Sequence, residues 1–538
     1  MSSTSTARSS GRATSHAAAS DVRFLGALLI GGAFAIVLAG VQSPLFDLDR
    51  HAVPKELVLH CVAFAALLAM LPRMQRIEPG LVGALLAAFL LWSVLSTLFA
   101  TNRWLAMRGV AITFSGVVVF AAAQRLAGAH ATRRVLVGFA AAAALAALLG
   151  AAQAWGLEWT LLQGNRPPGG TFGNRNFLAH LLAIALPVTV YLTLTSRPGR
   201  ALPGLVALLV LAGVIVLTRS RAAWVAVVLA LVLATACGFV ARHALTRAIR
   251  RTRLFMVGAA LLCGALLAMV LPNRLEWRSE APYTETFTGI VNYREGSGRG
   301  RLIQYGNTLR MLAERPITGT GPGNWFVQYP RFTTDGDPSF FADDPLPTNP
   351  WPSSDWVAFL AERGIIGVSL LGLAGLAALI TALRRLDGEG DDALRAIALC
   401  ATLVAAFTCG LFDAVLLLAP PTYFVFAALG LLLPSTRPVV SRPVKRRTQR
   451  ILMVAMLGAA ALAILANSAQ LGAILLAGDG DDTDAVALAV RIDPGNHRLR
   501  LLLARRGRCT FREPHARAAA RLLPHHSAPR AALSACGG

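Results

Sequence analysis

Charged residues are scarce in this chain of 538 residues. They make up 15% of it, whereas hydrophobic residues make up 55% and the mean hydropathy is +0.57. Soluble globular proteins carry about a quarter charged residues, so the composition excludes an ordinary soluble protein. Apolar stretches of roughly 18–25 residues, long enough to cross a bilayer, recur along the sequence. We therefore predict an all-α polytopic membrane protein with about 13 transmembrane helices.

Several other sequence features are absent, and each absence argues against one class of function. The seven cysteines have no Cys-x-x-Cys or similar spacing, so we predict no metal site, and nothing else indicates a cofactor. The Gly-rich stretch GTGPGNW follows no predicted strand and is not a nucleotide-binding fingerprint. No inverted pair of broken spans points to a transporter. The first twenty or so residues lack an apolar core, which predicts a disordered tail and not a cleaved signal peptide.

Basic residues, by contrast, are abundant, and the net charge is +23. They concentrate in alternate connections between predicted spans, from Arg73 and Arg76 to the cluster RPVVSRPVKRRTQR at 437–450. This bias indicates a cytoplasmic N-terminus, with the opposite connections outside. The charge is thus explained by topology and contact with membrane lipids, and we predict no nucleic-acid partner.

The predicted spans divide the chain around one long external loop between the ninth and tenth spans. A short amphipathic helix is expected inside that loop, ending at Arg315 and Pro316. The predicted regions are a disordered cytoplasmic tail at 1–22, a first transmembrane group at 23–271, the external loop at 272–354, a second transmembrane group at 355–470 and a small helical segment at 480–538.

Two arginines interrupt the apolar sequence in LTRSRAAW, at the turn between the seventh and eighth spans. The predicted topology puts Arg219 and Arg221 outside, where basic residues are disfavoured in short loops. A charge near the membrane is costly without an anionic partner, so these residues are candidates for a binding site. The alternative is that both side chains only reach lipid headgroup phosphates.

Four stretches in this order resemble the O-antigen ligase and O-antigen polymerase superfamily of membrane glycosyltransferases. They are GGTFGNRNFLAHLLAIALP (169–187), LTRSRAAWVAVVLAL (217–231), GRLIQYGNTLRMLAERPITGTGPGNW (300–325) and NPWPSSDWVAFLAERGIIGVSLL (349–371). The superfamily uses glycans linked to a polyprenyl diphosphate.

The resemblance implies that arginines bind the diphosphate of the donor. Arg221 and Arg301 stand at the matching positions, and Arg219 and Arg310 are secondary candidates. An arginine fork binds phosphate bidentately and stays ionised, so fixed positive charge can stabilise a departing diphosphate.

The first of the four motifs supplies further candidates for substrate binding. Asn174, Asn176 and His180 could bind sugar or diphosphate. Helix capping by the asparagines and an interhelical hydrogen bond by the histidine are the alternatives.

The fourth motif departs from the family where its histidine is expected, because Ser353 stands there. In the family that histidine is thought to deprotonate the acceptor hydroxyl, which serine cannot do. No histidine lies between 272 and 354 to replace it. Asp355 is the first candidate base, with capping of its own helix as the alternative role. Glu56 and His60, one helical turn apart near the external end of the second span, are further candidates.

The segment at 480–538 has Ala- and Leu-rich passages at helical spacing that resemble about one and a half degenerate tetratricopeptide repeats. It contains Cys509 and Cys536, which could form a disulfide in an oxidising compartment.

The sequence therefore predicts an O-antigen ligase-like glycosyltransferase of the bacterial inner membrane, active in the cell envelope. It would transfer or polymerise a glycan from undecaprenyl diphosphate onto a sugar hydroxyl at the external face. The acceptor would be lipid A-core, as in lipopolysaccharide synthesis, a growing glycan or another sugar. The alternative is a noncatalytic relative that binds lipid-linked glycan or acts as a scaffold in polysaccharide biosynthesis.

Overall fold

The computed structural model describes most of the chain as α-helix. The described residues are 4–74, 76–126, 129–197, 199–242, 250–277, 279–334, 337, 339, 350–388, 390–433, 441–506 and 508–536. Residues 340–349 of the long loop, and 243–249 and 434–440 of the basic connections, therefore lie outside the described part.

Thirteen apolar helices form the membrane region of the described chain, eleven long enough to span a bilayer and two shorter ones, α7 and α15. Their bounds are α1 Thr4–Leu38, α2 Asp49–Met70, α3 Leu81–Ser96, α4 Arg103–Gln124, α5 Ala129–Ala154, α6 Arg175–Leu194, α7 Leu202–Thr218, α8 Arg221–Val240, α9 Arg251–Val270, α13 Asp355–Leu383, α14 Gly390–Phe412, α15 Ala419–Leu432 and α16 Arg446–Ala477. The prediction of an all-α polytopic membrane protein is confirmed.

Seven shorter α-helices are described outside the membrane region: α10 Pro282–Thr288, α11 Gly296–Glu314, α12 Trp325–Gln328, α17 Thr483–Ile492, α18 His497–Ala504, α19 Cys509–Leu522 and α20 Ser527–Ser534. Single 3₁₀ turns lie at Leu71–Arg73, Thr97–Phe99, Thr160–Leu162, Gly170–Phe172 and Tyr329–Arg331. The amphipathic helix predicted in the long loop is α11, which ends just before Arg315 and Pro316.

The first helix differs from the sequence prediction. We expected a disordered tail to residue 22, but α1 is continuous from Thr4, and its apolar, membrane-crossing part is Ser20–Leu38. No proline interrupts the sequence between these points, and alanine favours helix, so the helix can extend beyond its apolar part.

The centre of the bundle consists of α6 and α14, each with 78% of its apolar stretch buried, together with the short α15. Close approach depends on small residues, because lipid gives helices no hydrophobic reason to associate. A Cβ on Gly430 of α15 would lie 2.4 Å from the carbonyl oxygen of Phe120 in α4. Tyr423 of α15 donates a hydrogen bond of 2.5 Å to the carbonyl of Leu29 in α1. The bundle centre is thus closed by backbone contact and by buried hydrogen bonds of this kind.

Basic connections gather at one end of the bundle. There β1 (Arg76–Ile77) pairs with β2 (Arg442–Pro443) in a minimal antiparallel ladder. Arg253, at the start of α9, donates a hydrogen bond of 2.9 Å to the carbonyl of Thr193, at the end of α6. These are the connections that the arginine bias predicts to be cytoplasmic, and the long loop lies at the other end.

The C-terminal helices α17 to α20 pack on the same end as the long loop. Arg498 of α18 forms an ion pair of 3.2 Å with Asp49 of α2. His526 donates a hydrogen bond of 2.9 Å to the carbonyl of Phe326 in the long loop. Cys509 and Cys536 form a disulfide that joins the start of α19 to the residues after α20. Likeness to tetratricopeptide repeats stays a prediction.

Candidate functional site

The turn between α7 and α8 holds both arginines of the LTRSRAAW stretch. Arg219 ends α7 in the left-handed region at φ 53°. Its guanidinium donates to Thr286 at 2.8 Å and forms an ion pair of 3.0 Å with Glu285, both in α10 of the long loop. Arg219 is therefore largely neutralised and connects the turn to the loop.

Arg221, the first residue of α8, also contacts the end of α10 but has no acidic partner there. Its Nη1 donates a hydrogen bond of 2.8 Å to the carbonyl of Gly289. A Cβ on Gly289 would lie 2.3 Å from Cζ of the same guanidinium. Only glycine at 289 leaves the Arg221 side chain in this position.

Trp277 stacks between two arginines beside this turn. The Arg219 guanidinium lies 4.8 Å from the ring centroid and the Arg175 guanidinium lies 5.0 Å from it. The ring offsets part of the repulsion between the two cations, in addition to the ion pair between Arg219 and Glu285.

Arg301, near the start of α11, completes the cationic cluster. It lies close enough to Arg221 and to His180 for their charges to interact. Its Nε is buried and has no hydrogen-bond partner. Neither Arg221 nor Arg301 forms an ion pair with any carboxylate in the described part of the chain. A guanidinium fork matches the geometry of phosphate oxygens, so Arg221 and Arg301 stay candidates for an anion site.

Arg310 does not join this cluster. It lies more than two turns further along α11, where its guanidinium donates to the side chain of Asn307 and, at 3.4 Å, to the carbonyl of Phe332. These contacts hold α11 against the rest of the loop. The structure therefore separates Arg310 from Arg221 and Arg301, with which the sequence prediction grouped it.

The asparagines of the first motif have different contacts. Asn174 caps α6 by accepting a hydrogen bond of 2.9 Å from the backbone N–H of Asn176, the alternative that we weighed. Asn176 points elsewhere and donates a hydrogen bond of 3.1 Å to a carboxylate oxygen of Asp413. Asp413 follows α14 and is half-buried.

His180 is fully buried, and neither ring nitrogen has a hydrogen-bond partner in the structure. Its imidazole interacts electrostatically with Asp413 and with Arg301. An unpartnered buried imidazole is costly, so its position between a carboxylate and a guanidinium is a functional signal. This makes Asp413 part of the same cluster as Arg301.

Tyr305 connects α11 to the fourth motif. Burial raises the pKa of its hydroxyl to about 12 against the opposing charge of Arg301. The hydroxyl lies 2.6 Å from the carbonyl oxygen of Ser353 and 3.1 Å from that of Leu411, and its one proton is donated to these two acceptors, with the shorter distance to Ser353. The sequence prediction missed Asp413, which lies outside the four motifs, and Tyr305, which lies inside the third motif but was considered only as part of its amphipathic helix.

Ser353 and Asp355 begin the fourth motif, and their contacts are structural. The backbone N–H of Ser353 donates to Gln304 at 2.6 Å. The two carboxylate oxygens of Asp355 accept hydrogen bonds from the backbone N–H groups of Val415, at 2.9 Å, and Leu416, at 2.7 Å. The carboxylate is fully buried. The helix itself is capped by Ser354, so Asp355 holds the connection between α14 and α15.

Glu56 and His60, the other candidate bases, lie in the contact between α2 and α4. His60 shares a buried hydrogen bond of 2.9 Å with Ser115, the interhelical role that we weighed. Glu56 accepts two hydrogen bonds of 2.8 Å from Arg108. Across the described residues, no group of three or more His, Cys, Asp or Glu side chains is arranged to hold a metal ion.

Residues 206–372 match the O-Antigen ligase family model. This range contains three of the four motifs that carry the resemblance and includes Arg219, Arg221 and Arg301. No curated protein gives a significant sequence match to the chain. The match shows an O-antigen ligase domain in this range and supports the superfamily predicted from the sequence. The family implies a lipid-linked glycan donor and a sugar acceptor in general.

Proposed function

Starting from this O-antigen ligase domain, we propose that the protein transfers or polymerises a glycan from undecaprenyl diphosphate onto a sugar hydroxyl, at the external face of the bacterial inner membrane. The observation that carries the proposal is the pair Arg221 and Arg301, two neighbouring guanidiniums without a carboxylate partner among the described residues. The pair supports a diphosphate site at the membrane surface.

The proposed reaction needs stabilisation of the leaving group above all. The acceptor hydroxyl oxygen forms a bond to the anomeric carbon of the donor, and the bond from that carbon to the diphosphate oxygen breaks. Negative charge then grows on the diphosphate, and Arg221 and Arg301 stabilise it by charge-assisted hydrogen bonds. Since the carbonyl of Gly289 holds the Arg221 guanidinium before the reaction, little reorganisation of this side chain is needed as the charge develops.

The acceptor proton requires a base, and the geometry favours Asp413 over Asp355. Both carboxylates accept hydrogen bonds on both oxygens, Asp355 from two backbone N–H groups and Asp413 from Asn176 and the Ala414 N–H, but Asp355 is fully buried. Asp413 is half-buried, and Asn176 orients it beside His180 and near Arg301. In our proposal the proton passes from the acceptor hydroxyl to the Asp413 carboxylate, which takes the role of the family histidine replaced by Ser353.

A noncatalytic relative that binds lipid-linked glycan, or acts as a scaffold, is the second candidate. It is favoured by the serine at the position of the family histidine and by the full burial of His180. Such a protein would keep the arginine pair and bind the donor without consuming it.

Three variants test the proposed diphosphate site: Arg221→Lys, Arg301→Ala and, as a matched control on α11, Arg310→Ala. Transfer from a purified undecaprenyl-diphosphate glycan should fall about 100-fold in Arg301→Ala, the effect of removing one preorganised charge donor. Arg221→Lys should also be impaired, because an ammonium cannot reproduce the bidentate fork. Arg310→Ala should stay near the wild-type rate.

Donor binding distinguishes the two candidate functions. Wild-type protein that binds the donor tightly, yet forms no product with any glycan acceptor from the host envelope, would support the noncatalytic relative. Full transfer by both Arg221→Lys and Arg301→Ala, at normal protein levels, would refute the diphosphate site.

A further inference from the structure

A cavity with a mainly apolar lining lies at the same end of the bundle as the arginine pair. It has a volume of about 130 Å³. Its walls are the first turns of α2 and α4, the loop before α12, the connection between α14 and α15, and the start of α18. At ~10–15 Å³ for each water, it holds roughly ten waters, a space comparable with one sugar ring.

The charges on one wall of this cavity balance one another. Arg108 donates two hydrogen bonds of 2.8 Å to Glu56 and one of 3.2 Å from Nη2 to Asp49. Asp49 also pairs with Arg498 of α18 at 3.2 Å. Two carboxylates and two guanidiniums thus neutralise each other, unlike the arginine pair at the diphosphate site.

Helix α13 contributes a further ion pair to the cavity lining. Arg363 forms an ion pair of 3.2 Å with Glu362, and the two side chains are 1% and 3% exposed. The cavity therefore presents mainly apolar surface with a smaller share of polar atoms, and the charged side chains that line it are paired with one another. Such a lining suits a neutral ring that has an apolar face as well as hydroxyl groups, and it would not retain a phosphate.

Aromatic rings and an unpaired nitrogen complete the lining. Trp351, Phe326 and Phe359 line the cavity, and aromatic faces provide apolar area for a ring-shaped ligand. His497 also lines it, and its buried Nε2 has no hydrogen-bond partner in the structure. Burial and the neighbouring Arg498 lower the pKa of His497 to about 3, so the neutral imidazole can exchange a hydrogen bond with a hydroxyl.

The cavity shares walls with the diphosphate site. Leu416 to Leu418 line it, and the same connection begins with Asp413. The ring of Trp351 contacts Phe177 at 6.3 Å between centroids, and Phe177 directly follows Asn176, the partner of Asp413. A glycan that lies in the cavity can therefore extend past Trp351 towards Asp413.

We infer that this cavity binds a neutral sugar ring of the acceptor glycan, with Trp351 against the face of the ring and His497 bonded to a hydroxyl. The inference rests on the proposed glycosyl transfer and adds the acceptor subsite to it. It assigns the two substrates to separate surfaces, an unpaired cationic one for the diphosphate and a charge-balanced one for the sugar.

The test uses the full-length protein in lipid nanodiscs and a panel of methyl glycosides of glucose, galactose, N-acetylglucosamine and rhamnose. Saturation-transfer NMR measures glycoside binding, with undecaprenyl diphosphate in excess. Binding of undecaprenyl diphosphate is titrated separately. The variants are Trp351→Ala, Trp351→Phe and His497→Phe, with Trp159→Ala as a control at a tryptophan that is 45% exposed and does not line the cavity.

At least one glycoside should bind the wild type, and Trp351→Ala should weaken that binding about fivefold, as expected for one aromatic contact. His497→Phe should weaken it too, whereas Trp351→Phe and Trp159→Ala should retain it. Undecaprenyl diphosphate should bind all four variants like the wild type.

Absence of binding by every glycoside, or binding unchanged in both Trp351→Ala and His497→Phe, overturns the acceptor subsite. If undecaprenyl diphosphate binds normally in that case, the diphosphate site of the proposed function still stands. If glycosides bind as expected but undecaprenyl diphosphate does not, the cavity is supported and the proposed donor site fails.

Discussion

Single residues decide where positive charge is left unpaired. Arg219 and Arg221 are two positions apart, yet only Arg219 has a carboxylate partner, Glu285. Arg221 contacts a backbone carbonyl instead. The sequence predicted that both arginines form a site, because neither is explained by topology. It could not predict which one is neutralised, since that depends on the fold of the loop more than sixty residues later.

Gly289→Ala should reduce transfer at little cost in stability. Gly289 has ordinary helical φ and ψ values, so alanine fits its backbone. The added Cβ would meet the guanidinium of Arg221, the flexible end of a long side chain, which must move away. We expect the melting temperature to stay close to that of the wild type while the transfer rate falls.

Gly306→Ala in α11 is the matched control, since a Cβ there meets nothing within 4 Å. Its transfer rate should equal that of the wild type. A Gly289→Ala protein with an unchanged rate and an unchanged melting temperature would show that the position of Arg221 is not critical.

Asp413→Asn should mainly lower the transfer rate, whereas Asp355→Asn should mainly lower the stability of the protein. In Asp413→Asn the single amide oxygen can accept only one of the two hydrogen bonds, from Asn176 or from the Ala414 N–H, and the amide cannot take a proton. Because this position is half-buried, water can satisfy the freed donor, and the rate should fall by about 10²–10⁴ with the fold retained. In Asp355→Asn one backbone N–H loses its acceptor, which should cost about 1–3 kcal/mol of stability. Transfer assays and thermal unfolding in detergent measure the two effects. If Asp413→Asn transfers at the wild-type rate while Asp355→Asn is fully folded but inactive, Asp355 and not Asp413 is the base.

The loop GTGPGNW (319–325) is hydrogen-bonded to the backbone near the start of α13. Thr320 N–H donates to the carbonyl of Ala361 at 3.0 Å, and Gly321 N–H donates to that of Glu362 at 2.9 Å. Gly364 adopts φ 65° where α13 is kinked, and a Cβ there would lie 2.0 Å from the carbonyl oxygen of Ile317. The loop is therefore docked on the bent start of α13.

Asn324→Ala should separate this loop from α4. The Asn324 side chain accepts from the backbone N–H of Asn102 at 2.7 Å and donates to the carbonyls of Asn102, at 3.0 Å, and Pro322, at 2.9 Å. Loss of these buried bonds should destabilise the protein by about 1–3 kcal/mol. Thermal unfolding measures the effect. Asn292→Ala, at an exposed asparagine of the same long loop, should change stability by less than about 0.5 kcal/mol. Equal melting temperatures for the two variants would contradict the docking role of Asn324.

Apolar periodicity predicted the membrane elements well, because span length and composition are set by the bilayer. Even the short α7 and α15 were found, since each is continuous apolar sequence between polar turns. The start of α1 was misplaced, because Ser-rich sequence is compatible with both a tail and a helix. The docking of α13, α18 and α20 on the long loop could not be predicted, since it depends on contacts between residues far apart in sequence.

The whole molecule has a basic end and an end that carries the long loop and α17 to α20. The arginine bias makes the basic end cytoplasmic in our proposal. The disulfide between Cys509 and Cys536 agrees with an oxidising compartment at the other end.

Cysteine labelling checks this orientation. In a background with the exposed thiols Cys61 and Cys263 replaced by alanine, Val291→Cys places a thiol at a position that is 80% exposed in the long loop. It should react with an impermeant maleimide in intact spheroplasts, since the loop is expected outside. Thr448→Cys, exposed at the basic end, should react only after permeabilisation. The reverse pattern would invert the topology and remove the external site.

The contact between Asp49 and Arg498 has a consequence for biogenesis. Asp49 enters the membrane with the second helix, whereas Arg498 and His497 are synthesised only after α16 has been inserted. Until then Asp49 can pair only with Arg108 and not with Arg498, and the part of the proposed acceptor cavity that α18 forms is absent. The diphosphate pair, Arg221 and Arg301, is complete much earlier in translation. If the proposed donor and acceptor sites are correct, a nascent chain on the ribosome can hold a lipid-linked donor before it can hold an acceptor, and transfer waits until α18 has docked on α2.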